Sequence, residues 1–415
     1  TWTIAEAKNP TLLQSVGAER ISPLATQLIS PPRVFLVLSA HSLIVLVEQR
    51  PVDTLRNLLE LGNSHTDQSV REFAAKYGPA QTLAMSVAIA ARNSQLTITA
   101  DAVLNTISAA GANLSSAEEA GFAARHLSQE AVSRAFRIFF DSGAPPRYEP
   151  PPFSSQSANE GKVIYSARHD GLAIYASRLM RIFWSEKIVK KAPLQGQPNR
   201  LDTNFGGRIL MRAQQDLQQL HSFIERHASF LGIDAKSSRA ATATNQDDQR
   251  AIQAEQDSVS AIRKVVARSL EALSFVLLLI DYKMPAIIAR CSSELQAQLL
   301  NLTFADLITS RAGRDTARGL VEAVIDAQIA SQVSIDAVAD VLQERCGSFC
   351  NADDVRLYKA LEGLRRAKEA VDVSERNENL TESLRLLLRA AGQLPFEKLK
   401  AACNDFTALR FPQGA

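Results

Sequence analysis

The stretch PPRVFLVLSAHSLIVLVEQRPVDTLRNLLEL, Pro31 to Leu61, decides how the rest of the chain is read. Val34 to Ser39 and Leu43 to Glu48 are rich in Val, Leu, Ile and Phe, with a tight Ala40-His41-Ser42 break between them. That composition and spacing predicts a β-hairpin over 33–48. Two strands alone are marginal in water, so the hairpin is expected to belong to a larger sheet. The chain then enters helix directly. Pro51 sits where its missing N–H costs nothing, and Val52, Leu55, Leu58 and Leu59 share one face. Residues 1–50 therefore read as the trailing edge of a β domain and 51–415 as a helical body, with almost nothing after Glu48 reading as strand.

Helical spacing recurs down the rest of the chain. Ser115 with Glu118, Ser116 with Glu119, and Thr303 with Asp306 fit capping boxes. Ala317, Leu320, Val321, Val324, Ile325 and Ile329 place a helix over 312–332, and Ser334 can cap the next, with Ile335, Val338, Val341 and Leu342 inward. Leu357, Ala360, Leu361 and Leu364 form another stripe, as do Leu380, Leu384, Leu387 and Leu388. Pro395 opens the last helix, with Phe396, Leu399, Cys403 and Phe406 on one side. Ala261 to Tyr282 is apolar on nearly every side around FVLLLI, the pattern of a helix flanked by others. Two segments break the series. Residues 141–161 hold Pro145, Pro146, Pro150, Pro151 and Pro152 with Ser154, Ser155 and Ser157, and 232–257 are Ala-, Ser-, Thr- and Gln-rich; both read as flexible loops. No fixed-period repeat is present, so an irregular stack of antiparallel helix pairs is predicted.

Composition narrows the function classes. The chain has 415 residues, 46% hydrophobic and only 6% aromatic, a balance suited to helix packed on helix. Its 46 basic and 44 acidic residues interleave to a net charge of +2, so no basic stripe points to nucleic acid as the primary partner. Lys187, Lys190 and Lys191 form the densest cluster and read as the complement to a helix C-terminus. Cys291, Cys346, Cys350 and Cys403 are too few and too scattered for a disulfide framework, which points to a reducing compartment. The longest apolar run, Phe275 to Ile280, falls far short of the ~20 residues that span a bilayer. The chain starts without Met and reads as a piece of a longer protein.

No set of residues forms a convincing reactive centre. Cys346 and Cys350 lie one helical turn apart, but zinc needs about four ligands and no second pair completes a site. His221 and His227 are six apart, on opposite faces of one predicted helix. Ser166, His169 and Asp170 carry the letters of a catalytic triad, yet triad members meet through the fold and not by adjacency; the first turn of a helix is the better reading. Gly206-Gly207 and Gly313 lack a phosphate-cradling pattern, and Asp353-Asp354 suit a helix start. No enzyme activity, catalytic residue, cofactor or metal is expected.

Val163 to Trp184, VIYSARHDGLAIYASRLMRIFW, carries a family resemblance. Ile164, Tyr165, Ser166, Arg168, His169, Asp170 and Gly171, followed by Ser177, Arg178, Leu179, Met180 and Trp184, match a run found in the large inner-ring scaffold nucleoporins, the 155/170-kilodalton family. RPVDTLRNLLE (Arg50 to Glu60) resembles that family's exit from its β-propeller. LQAQLLNLTFADLITS (Leu295 to Ser310) resembles its mid-solenoid turn. NADDVRLYKALEGLRRA (Asn351 to Ala367) and NLTESLRLLLRAA (Asn379 to Ala391) resemble a later helix pair. The matches are co-linear from about residue 31 to 410.

The resemblance implies a mostly α protein, an irregular α-helical solenoid over 51–415 with loops near 141–161 and 232–257. Residues 1–50 would be the remnant of an N-terminal β-propeller, the open edge of its hairpin a product of the cut and not a binding site. It implies a structural part of the nuclear pore's inner ring at the nuclear envelope, serving pore assembly and nucleocytoplasmic transport. Its partners would be flexible linker nucleoporins and other large scaffolds, with no direct nucleic acid; membrane contact would come through parts of the family that this chain lacks. The resemblance assigns no partner-binding residue. The alternative is a vesicle-coat-like or general helical adaptor. A stack of helix pairs in which each contacts mainly its neighbours is elongated. Small-angle scattering is accordingly expected to give a radius of gyration well above the roughly 22 Å of a globule of this length; a value near 22 Å would overturn the stack.

Overall fold

The helical body begins at a buried corner. In the computed structural model Arg50 is buried, and its guanidinium donates to both carboxylate oxygens of Asp53 at 2.7 and 2.8 Å and to the Gln27 carbonyl at 2.9 Å. The Gln27 side chain in turn accepts from Val52 N at 2.8 Å. A bidentate Arg–carboxylate pair of this kind fixes direction as well as energy, here at the point where strand gives way to helix. The structure describes residues 3–6, 22–29, 33–62, 66–96, 127–150, 161–193, 200–233, 245–330, 335–350, 352–390 and 396–414. The chain divides into two compact units, Thr1–Ile182 with Arg212–Ala267, and Phe183–Met211 with Arg268–Ala415.

The first unit opens with strands β1 (Thr3–Glu6), β2 (Val34–Leu38) and β3 (Leu43–Val47) and the short helix α1 (Pro23–Thr26). β2 and β3 form the predicted hairpin, Val34 opposite Val47, closed by Ser39 N donating to Ser42 O at 2.8 Å. β1 is an addition to the sequence reading: it pairs antiparallel with β2, Ile4 opposite Val37, giving three strands. Helices α2 (Pro51–Leu61), α3 (Thr66–Tyr77), α4 (Pro79–Ala90) and α5 (Gln129–Asp141) follow. α4 is buried continuously from Thr82 to Ala90 and packs against α2, α3 and α5. Beyond it come the ribbon β4 (Arg147–Glu149) and β5 (Lys162–Ile164), then α6 (Ala167–Trp184) and α7 (Gly207–Arg226).

The next helix, α8 (Gln246–Asp281), corrects the sequence reading. The loop expected over 232–257 is helical from Gln246, because Ala251, Glu255, Ser258 and Val259 lie at helical spacing and are held by contacts that composition does not reveal. The loop expected over 141–161 likewise contains β4, and 151–160 lie outside the described residues. A second short ribbon, β6 (Val189–Lys191) with β7 (Leu201–Thr203), belongs to the second unit.

The remainder of the second unit is α9 (Met284–Ile288), α10 (Ser293–Leu299), α11 (Phe304–Thr309), α12 (Arg311–Ala330), α13 (Ile335–Cys346), α14 (Ala352–Glu369), α15 (Val373–Ala390) and α16 (Phe396–Ala408). The capping box expected at Thr303 and Asp306 is present: Thr303 Oγ1 accepts from Asp306 N at 3.1 Å while Asp306 Oδ2 accepts from Thr303 N. Gly313 allows α12 to start hard against α11, since a Cβ there would lie 2.1 Å from the Asp306 carbonyl. α14 and α15 pair tightly, and Leu357, Ala360, Leu364, Leu380, Leu387 and Phe406 close one core with α16. The expected caps at Ser115, Ser116, Ser334 and Pro395 lie outside the described residues. Among the described residues no helix is long and apolar enough to cross a membrane.

The FVLLLI segment of α8 lies in the second unit, with Leu273, Phe275, Val276, Leu278 and Leu279 all buried and Phe275 stacked on Phe349 at 5.1 Å. Replacing Leu278, 1% exposed, with Asp puts an unpaired charge into this core. The penalty, several kcal/mol, is comparable to the stability of a whole domain. Leu278→Asp is expected to abolish the cooperative thermal transition of that unit; an unchanged melting curve would show that the helix is not central to it.

Candidate functional site

The segment that carries the family resemblance folds into a polar clasp between α6 and α8. Ser166 is the residue before α6, and its Oγ accepts from His169 N at 3.2 Å as an N-cap does. The Glu255 carboxylate, from α8, accepts from Ser166 N at 2.6 Å and from Ser166 Oγ at 2.8 Å. The His169 ring packs against Tyr165 at a tilt of 31°, centroids 4.1 Å apart, with Nε2 2.8 Å from Ser258 Oγ and Nδ1 3.0 Å from Asp170 Oδ1. Ser258, His169 and Asp170 are thus in line, but His169 is buried under Tyr165 and Ser166 is bound to Glu255 instead. The chemistry the arrangement performs is capping: negative charge and acceptors meet the open N–H groups of a helix start.

Gly171 explains the end of the motif. A Cβ there would sit 2.8 Å from Leu83 Cβ and 3.0 Å from Ala84 N, so glycine lets α6 close onto α4. Leu172, Tyr175, Ala176 and Leu179 then bury along that face. Arg178 is also buried, with Nη2 donating to Gln81 and burial lowering its pKa.

The other candidates fall into place one by one. Cys346 is buried, donates Sγ to the Leu342 carbonyl at 3.0 Å, and is pushed up to about 12 by burial and by its neighbours Cys350 and Glu271. His221 lies 3.4 Å from Glu225, whereas His227 follows the end of α7 and packs among Phe136, Phe140 and Phe223, burial and the nearby Arg226 lowering its pKa. Among the described residues no group of three or more His, Cys, Asp or Glu is placed to hold a metal ion. Glu255 was missed by sequence reasoning because it lies in the stretch read as loop, and Ser258 because it follows directly on that stretch. The signal that could have found them is Asn245 followed by Asp247 and Asp248, an N-cap with an acidic first turn.

The lysine cluster requires a correction. α6 ends at Trp184, so Lys187, Lys190 and Lys191 do not complement its last turn; Lys190 and Lys191 stand on strand β6. With Val189 they line a groove of about 630 Å³ whose other wall is Ala297, Leu300 and Asn301 at the end of α10. All three lysines are exposed, and Lys187 Nζ donates to Asn301 Oδ1 at 3.3 Å.

Comparison with known proteins agrees with this geometry. The family described as non-repetitive/WGA-negative nucleoporin C-terminal matches residues 166–415. The chain belongs to this nucleoporin family. Nucleoporin NUP170 of Chaetomium thermophilum is 31% identical over 398 residues, 94% of this chain and 26% of that protein, so the chain spans about a quarter of its relative's length. The crystal structure of Chaetomium thermophilum Nup170 SOL matches with a TM-score of 0.63 and 28% identity, over 87% of this chain and 41% of the other. That of a Chaetomium thermophilum Nup170 NTD–Nup53 complex shares the fold at 24% identity and a TM-score of 0.52, over 73% of this chain and 35% of the other. The solenoid fold is therefore that of a structural nucleoporin of the nuclear pore complex, at the nuclear envelope. The family match begins at Ser166, the residue that Glu255 holds.

A second polar tie in this nucleoporin contributes a pH-dependent term to its stability. Asp216 on α7 is 4% exposed and accepts from Ser94 N at 2.7 Å and Ser94 Oγ at 2.9 Å, while Asn93 donates to the buried Tyr175 hydroxyl at 3.2 Å. Burial pushes the Asp216 carboxyl up to about 6, the Ser94 bonds pulling the other way. A folded-state pKa above the unfolded value of about 3.9 means the folded chain holds this proton more tightly. Its stabilising contribution is complete below about pH 4 and is lost as pH rises through about 6, on the order of 2–3 kcal/mol in all. Urea unfolding midpoints of wild type and Asp216→Asn, measured from pH 4 to 7, are expected to diverge over that window; parallel curves would refute the assignment.

Proposed function

We propose that the chain is a scaffold segment of the nuclear pore's inner ring, supporting pore assembly and nucleocytoplasmic transport by binding linker nucleoporins and other large scaffolds. The observation that carries this reading is the nucleoporin family match over residues 166–415. The architecture fits it: helices pack on their neighbours, as α4 does on α3 and α5 and α14 on α15. The solved Nup170 complex contains Nup53, which supports a comparable role in partner binding for this chain.

The same reading makes residues 1–50 part of a β-propeller and 51–415 the solenoid. In the three-stranded sheet Ile4, Leu38, Ile44 and Leu46 are all exposed. An exposed apolar sheet surface of this kind is what a larger β structure would cover, and it supports the propeller assignment. The membrane contact of such scaffolds is assigned to segments other than this one.

The test is capture with the intact chain as bait from a nuclear-envelope extract, with mass spectrometry of the bound proteins, alongside imaging of the tagged chain in cells. Enrichment of nucleoporins and a punctate nuclear rim are expected. Recovery of vesicle-coat proteins without nucleoporins would overturn the proposal in favour of a helical adaptor.

A further inference from the structure

Arg178 is a buried charge without a counter-charge. Its side chain on α6 is 8% exposed, and its one hydrogen bond among the described residues runs from Nη2 to Gln81 Oε1. Nη1 is enclosed and has no partner, and among the described residues no carboxylate is paired with the guanidinium. A guanidinium keeps its proton in a protein, so burial leaves the charge in place and costly.

The bond to Gln81 aims that charge at the start of α4. The N-cap of α4 is Gly78, which has no side chain to turn back onto the first N–H groups, and a Cβ there would meet nothing within 4 Å. Among the described residues the main-chain N–H groups of Ala80 and Gln81 have no hydrogen-bond partner. Arg178 offers only donors, so it holds the Gln81 amide by its oxygen and leaves the amide NH2 as a further unpartnered donor. These donors stand at the positive end of a 12-residue helix, with a fixed charge behind them. They can be reached. Pro79 is exposed and Ala80 and Gln81 are half-buried, whereas α4 is buried from Thr82 to Ala90.

We propose that this end of α4 binds a carboxylate presented by an acidic side chain of a partner protein segment. The open N–H groups of a helix start are a ready receptor for an anion, and Arg178 adds a full charge to the partial charge of the helix end. Because Nη1 is enclosed, the guanidinium acts through Gln81 and through its field, not by direct contact. One guanidinium balances one negative charge, which suits a carboxylate better than the near-double charge of a phosphate monoester. The proposal deepens the scaffold reading by naming a contact one partner segment makes, and rests on that reading only for the identity of the partner.

The probe is an Ala-Asp-Ala tripeptide capped at both ends, titrated into the isotope-labelled full chain. The readout is the amide resonances of Ala80 and Gln81 and the Gln81 side-chain NH2. An Ala-Asn-Ala tripeptide, sodium acetate and sodium phosphate are run beside it at matched ionic strength. Saturable shifts with the Asp peptide are expected at all three groups, with binding ~tenfold weaker in Arg178→Met. No saturable shift, an equal response to the Asn peptide, or unchanged binding by Arg178→Met would overturn the proposal. So would tighter binding of phosphate than of the Asp peptide, or a response to acetate alone, either of which would make this a site for a free small anion. If Arg178→Met lowers the melting temperature, Gln81→Glu makes the comparison on an intact fold. It places a carboxylate beside the guanidinium, and is expected to raise the melting temperature and abolish the response to the Asp peptide; an unchanged response would refute the site. Pore localisation is unaffected by any of these results, so this proposal and the scaffold reading fail separately.

Discussion

The Glu255 carboxylate at the start of α6 is the interaction on which the first unit turns. It accepts two short bonds from Ser166, which itself caps the helix through His169 N. Bonds to a charged group contribute about 1.5–3 kcal/mol each where water is excluded, and a negative charge at a helix N-terminus adds a smaller favourable term. More important is what the clasp fixes. α6 can lie against α4 only at the height where Gly171 meets Leu83 and Ala84. The clasp and the glycine lie five residues apart, so one sets the register at which the other allows contact. Tyr175 and Leu179 bury as a consequence.

Polar ties of this type recur at element ends, while the stretches between them are apolar. Arg50 with Asp53 and Gln27 holds the strand-to-helix corner; Asp216 with Ser94 holds α7 to the turn after α4. Apolar burial is not directional, so where helix packs on helix it would by itself tolerate sliding by a turn. Directional bonds at the ends remove that freedom, because a displaced helix would strand a buried carboxylate or guanidinium at a cost of several kcal/mol.

Much of this was legible beforehand, for physical reasons. The hairpin, the Pro51 helix start, the Thr303–Asp306 box and the FVLLLI core all rest on local pattern, and each stands as expected. What was missed depends on distant partners. Residues 246–257 carry few large apolar side chains, so composition alone marks them as loop; they are helical because Glu255 and Ser258 reach residues 89 positions earlier. Strand β1 is four residues long and gains its identity only from β2. The lysines read as a helix-end complement because sequence does not show that α6 stops at Trp184 and a strand intervenes. The triad-like letters form a helix start, as their adjacency suggested, with Ser258 and not Ser166 as the hydroxyl that meets the His169 ring.

Cys346 is packed beneath the last turn of α13, with its thiol committed to the Leu342 carbonyl and held protonated by burial. Cys350 is buried as well, whereas Cys291 and Cys403 are only partly covered. A thiol-reactive reagent at neutral pH therefore meets one class of sulfur at once and the other only when α13 parts from its neighbours. The slow phase of such a reaction would count spontaneous local openings under native conditions, making the two buried thiols an internal clock for how often this end of α13 lets go.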